Sequence, residues 1–239
     1  MELVSCPVLL SILVGLVNAD REKRIDEYPD YWKDQDIRRA LNNSDRKSWL
    51  IYRTYSRDKD GSRHLCVYAD VQEIGSVYTF VQGYIISNGE KNKTIKETLY
   101  AHPYKTENRY IYDKVREHDN AMRVTQRKDD ENGQNYQLIY SDYQKCDILR
   151  VLNWDYGYDC ELYVHDKVDN LAVPAGCEAI YKNACGKDER DKKQVSNKSC
   201  RETSEVTPNP PSTLAPPEKE PPEVPPETES TSSTQPPGC

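Results

Sequence analysis

Residues 140–164 read YSDYQKCDILRVLNWDYGYDCELYV. Two short β-rich runs, Cys146–Leu152 and Cys160–Val164, each open on a cysteine with a carboxylate beside it, Asp147 and Glu161. After a polar stretch, Pro174–Cys185 reads as a helix that carries Cys177 and Cys185 and is stopped by Gly186. A disulfide-stapled strand pair that aims acids into a barrel has this pattern. So has an ordinary small secreted β-domain, and the rest of the chain decides between them.

Residues 2–17 form an apolar run that ends in Val17-Asn18-Ala19 before Asp20. Small residues at 17 and 19 fit a signal-peptidase site, although Glu2 replaces the usual positive n-region, so 1–19 is expected to be a signal peptide. The run is too short to span a bilayer, and no later segment is apolar enough, so the expectation is a secreted, soluble chain with no membrane partner. Of eight cysteines, Cys6 leaves with that segment and Cys239 ends the chain. The six between, in an oxidising compartment, imply disulfides in any of about fifteen pairings. No CxxC or His-rich spacing suggests a metal, and no cofactor is expected. Sequons at Asn42, Asn92 and Asn197 agree with export.

Residues 201–239 hold 11 of the 15 prolines, Ser and Thr, and almost no large apolar side chain. This tail is expected to stay extended, like a mucin-type stalk, because it cannot bury enough surface to offset chain entropy. It carries seven acids against two bases, and Glu2 adds an acid, so of the net charge of −7 about −1 belongs to residues 20–200. The body therefore has no basic excess for nucleic acid.

Residues 20–200 are one domain's worth of chain. Asp30–Leu41 (DYWKDQDIRRAL) reads as a helix with Trp32, Ile37 and Leu41 near one face. Strand runs follow at Trp49–Tyr55, Leu65–Ile74, Val77–Ile86, Thr94–Ala101, Arg109–Val115, Met122–Gln126 and Tyr136–Tyr140, then the two quoted above. Turn clusters such as Ser87-Asn88-Gly89 and Glu131-Asn132-Gly133 separate them. Eight or nine short strands in hairpin order suggest a meandering barrel, with a β-sandwich as the alternative. Flanking helices and the lack of a long crossover favour the barrel, which at eight strands just holds a small ligand.

The Asp-x-Trp-Lys helix (Asp30, Trp32, Lys33), the Tyr-rich first strand leading to Cys66-Val67, YSDYQKCD and CELYV, in that order and spacing, resemble the tick salivary lipocalins of the histamine-binding protein family. The resemblance covers about residues 30–200. It implies an eight-stranded antiparallel lipocalin barrel with a helix at each end and disulfides Cys66–Cys200, Cys146–Cys177 and Cys160–Cys185. It also implies an amine ligand in the barrel, where a buried cation needs carboxylates and gains from aromatic faces.

By resemblance, Tyr55, Asp58 and Glu97 match ligand-binding positions, Asp147 and Glu161 match acids lining the barrel, and Tyr136 and Tyr163 stand where ligand-facing aromatics occur. Read on their own, Asp58 lies in an Asp-Lys-Asp-Gly turn and fits turn chemistry, Glu97 beside Lys96 fits a solvated face, and Tyr55 fits a core. Arg38 stands where two-site amine binders present an acid, which argues against a second amine site by that helix. A family tryptophan before the second strand is missing from DKDGSRHL, and Tyr110 and Tyr112 fall in a longer stretch that cannot be aligned. Eighteen tyrosines against one phenylalanine lean toward a polar aromatic ligand.

The functional expectation is a host-mediator scavenger that takes up histamine or serotonin. One alternative is an eicosanoid, a leukotriene or thromboxane, held through Arg38 or Arg53. Another is a host protein, bound at a sulfated Asp26-Glu27-Tyr28-Pro29-Asp30-Tyr31 with the cavity unused. Four scattered histidines (His64, His102, His118, His165) with no HExxH or nucleophile elbow argue against an enzyme. Cys239, left over from three bridges, predicts a disulfide-linked dimer or a capped thiol.

Overall fold

The alternation in Cys160-Glu161-Leu162-Tyr163-Val164-His165 organises the molecule. In the computed structural model, which describes residues 24–59, 62–87, 92–107, 114–152 and 157–205, all six side chains are buried. Cys160, Leu162 and Val164 face an outer core with Trp49, Ile51, Ile139, Ile148 and Tyr181, whereas Tyr163 belongs to an inner core with Leu50, Val71, Phe80, Leu99, Leu138 and Leu149. A period-2 strand buried on both faces needs cover on both. The barrel interior covers one face and the C-terminal helix the other.

The strands are β1 (Lys47–Arg53), β2 (Asp58–Lys59), β3 (Ser62–Glu73), β4 (Tyr78–Ser87), β5 (Asn92–Tyr104), β6 (Ala121–Thr125), β7 (Gln134–Ser141), β8 (Cys146–Val151), β9 (Cys160–His165) and β10 (Lys193–Gln194). Each strand from β3 to β9 pairs antiparallel with the next, and β1 pairs with both β9 and β3. That closes an eight-stranded antiparallel barrel and removes its edges. The two-residue strands β2 and β10 lie against β3 and β1.

The helix expected over 30–41 is two elements. Pro29–Asp34 is a 3-10 turn, and α1 is confined to Ile37–Leu41. Asp36 is extended and its carboxylate accepts the Arg39 backbone N–H, so a capping residue restarts the helix where a continuous one was expected. The expected strand over 109–115 falls mostly outside the described residues, as do Tyr110 and Tyr112, the signal segment, the tail and Cys239.

The C-terminal helix α2 (Ala175–Cys185) buries Cys177 and Tyr181 against the wall, and α3 (Ser199–Glu205) carries Cys200. Three disulfides join Cys66 to Cys200, Cys146 to Cys177 and Cys160 to Cys185, the pairings implied by the resemblance. Cys66 sits at a positive φ of 51° where β3 slips register, and its N–H reaches the Val195 carbonyl at 2.9 Å.

On the outer face of β8, Arg150 holds three segments together. Its guanidinium forks onto the Asp26 carboxylate (2.8 and 3.0 Å) and donates to the Ala184 carbonyl of α2, with both charged side chains at most 2 % exposed. Arg116 donates to the Asp26 carbonyl and to Gln35 and lies over the Trp32 ring, which fixes the N-terminal segment.

Gly83 faces Tyr68 across β3 and β4, and a Cβ there would lie 2.2 Å from the Tyr68 ring. That ring packs on Trp49 at 5.2 Å and has little room to retreat. Gly83→Ala should therefore cost about 1–3 kcal/mol by overpacking. A urea midpoint unchanged from wild type would show that Tyr68 moves freely.

Among the described residues no helix is long and apolar enough to cross a membrane. The sequon residues Asn42, Asn92 and Asn197 are all exposed.

Candidate ligand cavity

The barrel encloses a cavity of about 390 Å³, within the usual range for small-molecule sites. Phe80, Leu99, Met122, Leu138 and Leu149 give it apolar walls, and α1 contributes Ile37, Ala40 and Leu41. Its polar groups fall into two sets, separated along β9. From Glu161 to His165 is four residues, roughly 13 Å at the strand rise.

The first set is built on Asp147 and His165. Asp147 on β8 points inward because Cys146 and Ile148 point outward, and it stands opposite Tyr163. His165 Nε2 lies 2.8 Å from Asp147 Oδ2, and its Nδ1 faces the Asn43 side-chain nitrogen at 3.3 Å. The same Asn43 nitrogen lies 2.8 Å from the Tyr143 carbonyl, so it is a donor. His165 Nδ1 must then accept, which places the neutral ring's proton on Nε2, donated to Asp147. The other carboxylate oxygen, Asp147 Oδ1, is buried and has no hydrogen-bond partner among the described residues.

Burial alone would lower the His165 pKa, but the hydrogen bond and charge of Asp147, with Asp45 and Asp142 behind it, raise it above the ordinary histidine value. A group raised on folding adds stability below its unfolded pKa of about 6.5 and loses that contribution as pH climbs through the folded value. The stability difference between wild type and His165→Gln should therefore shrink between pH 5.5 and 8.5. Parallel urea-melt curves for the two proteins would contradict this.

The second set surrounds Glu161. Its carboxylate accepts from the Tyr163 hydroxyl at 3.0 Å and from the Tyr55 hydroxyl. Burial pushes its pKa up, opposed by those two hydrogen bonds and by Arg53 and Arg57. Burial and the Glu161 charge likewise hold Tyr55, Tyr136 and Tyr163 in their neutral forms. Tyr55 reaches Glu161 because β1 stops at Arg53 and the chain bends there, with the Thr54 N–H on the Cys160 carbonyl.

Tyr55, Glu97, Tyr136, Asp147 and Tyr163 line the cavity. Glu97 also accepts from the Tyr84 hydroxyl at 3.0 Å. Glu161 is 3 % exposed and stands behind Tyr55 and Tyr163 rather than on the wall. Asp58 does not join them: it is exposed, pairs with Arg63 in a hairpin and borders a shallow outer depression.

The two cations considered for an anionic ligand are also off the wall. Arg38 donates to Asp119 at 2.6 Å, and Arg53 is buried beside the Tyr55 ring with its guanidinium on the Arg57 carbonyl. Arg57 and His165, absent from the sequence-based set, do line the cavity. The inward parity of Glu161 and Tyr163 already contained His165. Nothing in the loop pattern distinguished Arg57 from Asp58.

An eight-stranded antiparallel barrel around a mixed apolar and polar cavity, stapled to a C-terminal helix, defines a lipocalin-type ligand-binding protein. The model of the tick histamine binding protein family matches residues 25–202, and the chain belongs to that family. No curated protein matches it. Among solved structures it is similar to AM182 in its serotonin complex, at 20% identity and a TM-score of 0.49 over 69% of this chain and 92% of that one. It is also similar to Japanin from Rhipicephalus appendiculatus bound to cholesterol, at 15% identity and 0.45 over 66% and 94%. Apocrustacyanin C2 aligns at 15% identity and 0.48 over 75% and 91%.

Proposed function

We propose that this chain is a secreted salivary protein that sequesters a protonated biogenic amine of the host, histamine or serotonin, inside its barrel and so suppresses inflammation at the feeding site. The observation that carries the reading is the buried, unpartnered Oδ1 of Asp147, whose twin oxygen is already held by His165. A buried carboxylate oxygen without a donor is costly, and an ammonium N–H supplies both the donor and the opposite charge. Tyr163, opposite Asp147, supplies a face for the cation, and Tyr55 and Tyr136 supply faces for the ring. Glu161, occupied by two tyrosine hydroxyls, acts as a positioning residue that fixes those rings.

Removal of the mediator is stoichiometric and involves no turnover. The family and fold are those of binding proteins, and the three disulfides suit an oxidising, extracellular setting. The eicosanoid alternative lost the two cations it named, since Arg38 and Arg53 are engaged elsewhere. Calorimetric titration of the protein with histamine and with serotonin at pH 7.5 tests the reading. One-to-one binding of either supports it; heat of dilution alone with both would end it.

A further inference from the structure

We infer that Arg57 makes this cavity selective for an aromatic amine that carries a ring hydroxyl at the end opposite its ammonium group. The inference rests on the amine reading above and specifies its ligand. Arg57 is exposed at the rim yet lines the cavity, and it forms no ion pair with a described residue. It lines the cavity with Tyr55, two residues before it, and its carbonyl accepts from Arg53 at 3.2 Å, which puts it at the tyrosine end.

At that end the acids are Glu97, Glu161 and Asp130, the last paired with Arg127, and the other cations are Arg53 and Arg57. With Glu161 ionised as the acceptor of two tyrosine protons these charges cancel, which gives an ammonium group no net attraction there. At the other end Asp45, Arg46, Asp147 and His165 line the cavity, and Asp147 Oδ1 is buried with no hydrogen-bond partner among the described residues. The ammonium therefore seats at Asp147, and the far end of the ligand meets Arg57.

The hydrogen-bonding inventory narrows the group that fits. Tyr55 and Tyr163 direct their protons to Glu161 and so present lone pairs to the cavity, while Arg57 presents donors. A hydroxyl serves both, accepting from Arg57 and donating to a tyrosine oxygen. A carboxylate would face the tyrosine lone pairs and Glu161. A bare aromatic edge would take no hydrogen bond from Arg57, whose donors would keep only water.

Tryptamine and serotonin differ by one ring hydroxyl, and calorimetry with both, on wild type and Arg57→Met, tests the inference. Serotonin should bind wild type about tenfold more tightly than tryptamine, the usual effect of a hydrogen bond to a charged group. In Arg57→Met that ratio should fall to within about twofold of unity while tryptamine binds as before, which also shows that the variant folds. If both amines bind wild type equally, or the ratio survives in Arg57→Met, the inference fails and the amine reading stands. If neither amine binds wild type, both fail.

Discussion

Asp147→Asn should lower the affinity of the protein for serotonin or histamine by about thirtyfold or more at pH 7.5, since removing one member of a buried, hydrogen-bonded charge pair costs at least about 2 kcal/mol. The substitution keeps shape and volume. It removes the negative charge, and if the amide nitrogen takes the Oδ1 position it presents a donor to the ligand's donor. Oδ2 can still accept from His165 Nε2 in the neutral tautomer that Asn43 imposes, so the local fold has no reason to change. The loss should therefore appear in binding, with the unfolding midpoint converging on wild type as pH rises and His165 loses its proton. Glu161→Gln should cost less, because the carboxylate is screened from the ligand by Tyr55 and Tyr163. If the two variants lose affinity in the reverse order, the ammonium seats at the tyrosine end and the assignment of the two ends is inverted.

Arg150→Met should lower the unfolding free energy by about 3–5 kcal/mol without touching the cavity, because it leaves the buried Asp26 carboxylate without its hydrogen-bonded ion-pair partner. The same change removes the donor to the Ala184 carbonyl at the end of α2. Asp26→Asn combined with Arg150→Met should recover part of the loss, since the penalty comes from the orphaned charge more than from the absent pair. Urea melts at constant m-value measure both. A single-variant loss below about 1 kcal/mol would mean that water reaches Asp26 when the arginine is gone.

The barrel was legible in the sequence because its most informative strand is amphipathic at both faces. In Cys160–His165 the cysteine and the two aliphatics fall on one parity and the acid, tyrosine and histidine on the other, so one strand announces both the covering helix and the cavity. Asp147, one residue after Cys146, follows the same logic. What the sequence concealed lies in loops. Arg57 ends the loop after β1 and Asp58 opens β2, and only the bend after Arg53 sends the arginine to the cavity rim and the aspartate to the surface. A resemblance transfers residue types to positions but not the direction of a loop. Asp36 broke the expected helix by capping it, a local competition that apolar periodicity does not register. Arg38 seemed a candidate for an anion because it replaces an acid, but its partner Asp119 lies 81 residues away and no local pattern links them.

The central claim, that a carboxylate in this barrel holds a protonated amine, is tested most directly by comparing serotonin with N-acetylserotonin in one calorimetric series at pH 7.5. The two share the indole and its hydroxyl and differ in the charge at the side-chain nitrogen. The charged amine should bind about thirtyfold more tightly or better, and Asp147→Asn should erase most of the difference. Equal affinities in the wild-type protein would contradict the account, since the cavity would then recognise the ring and not the cation.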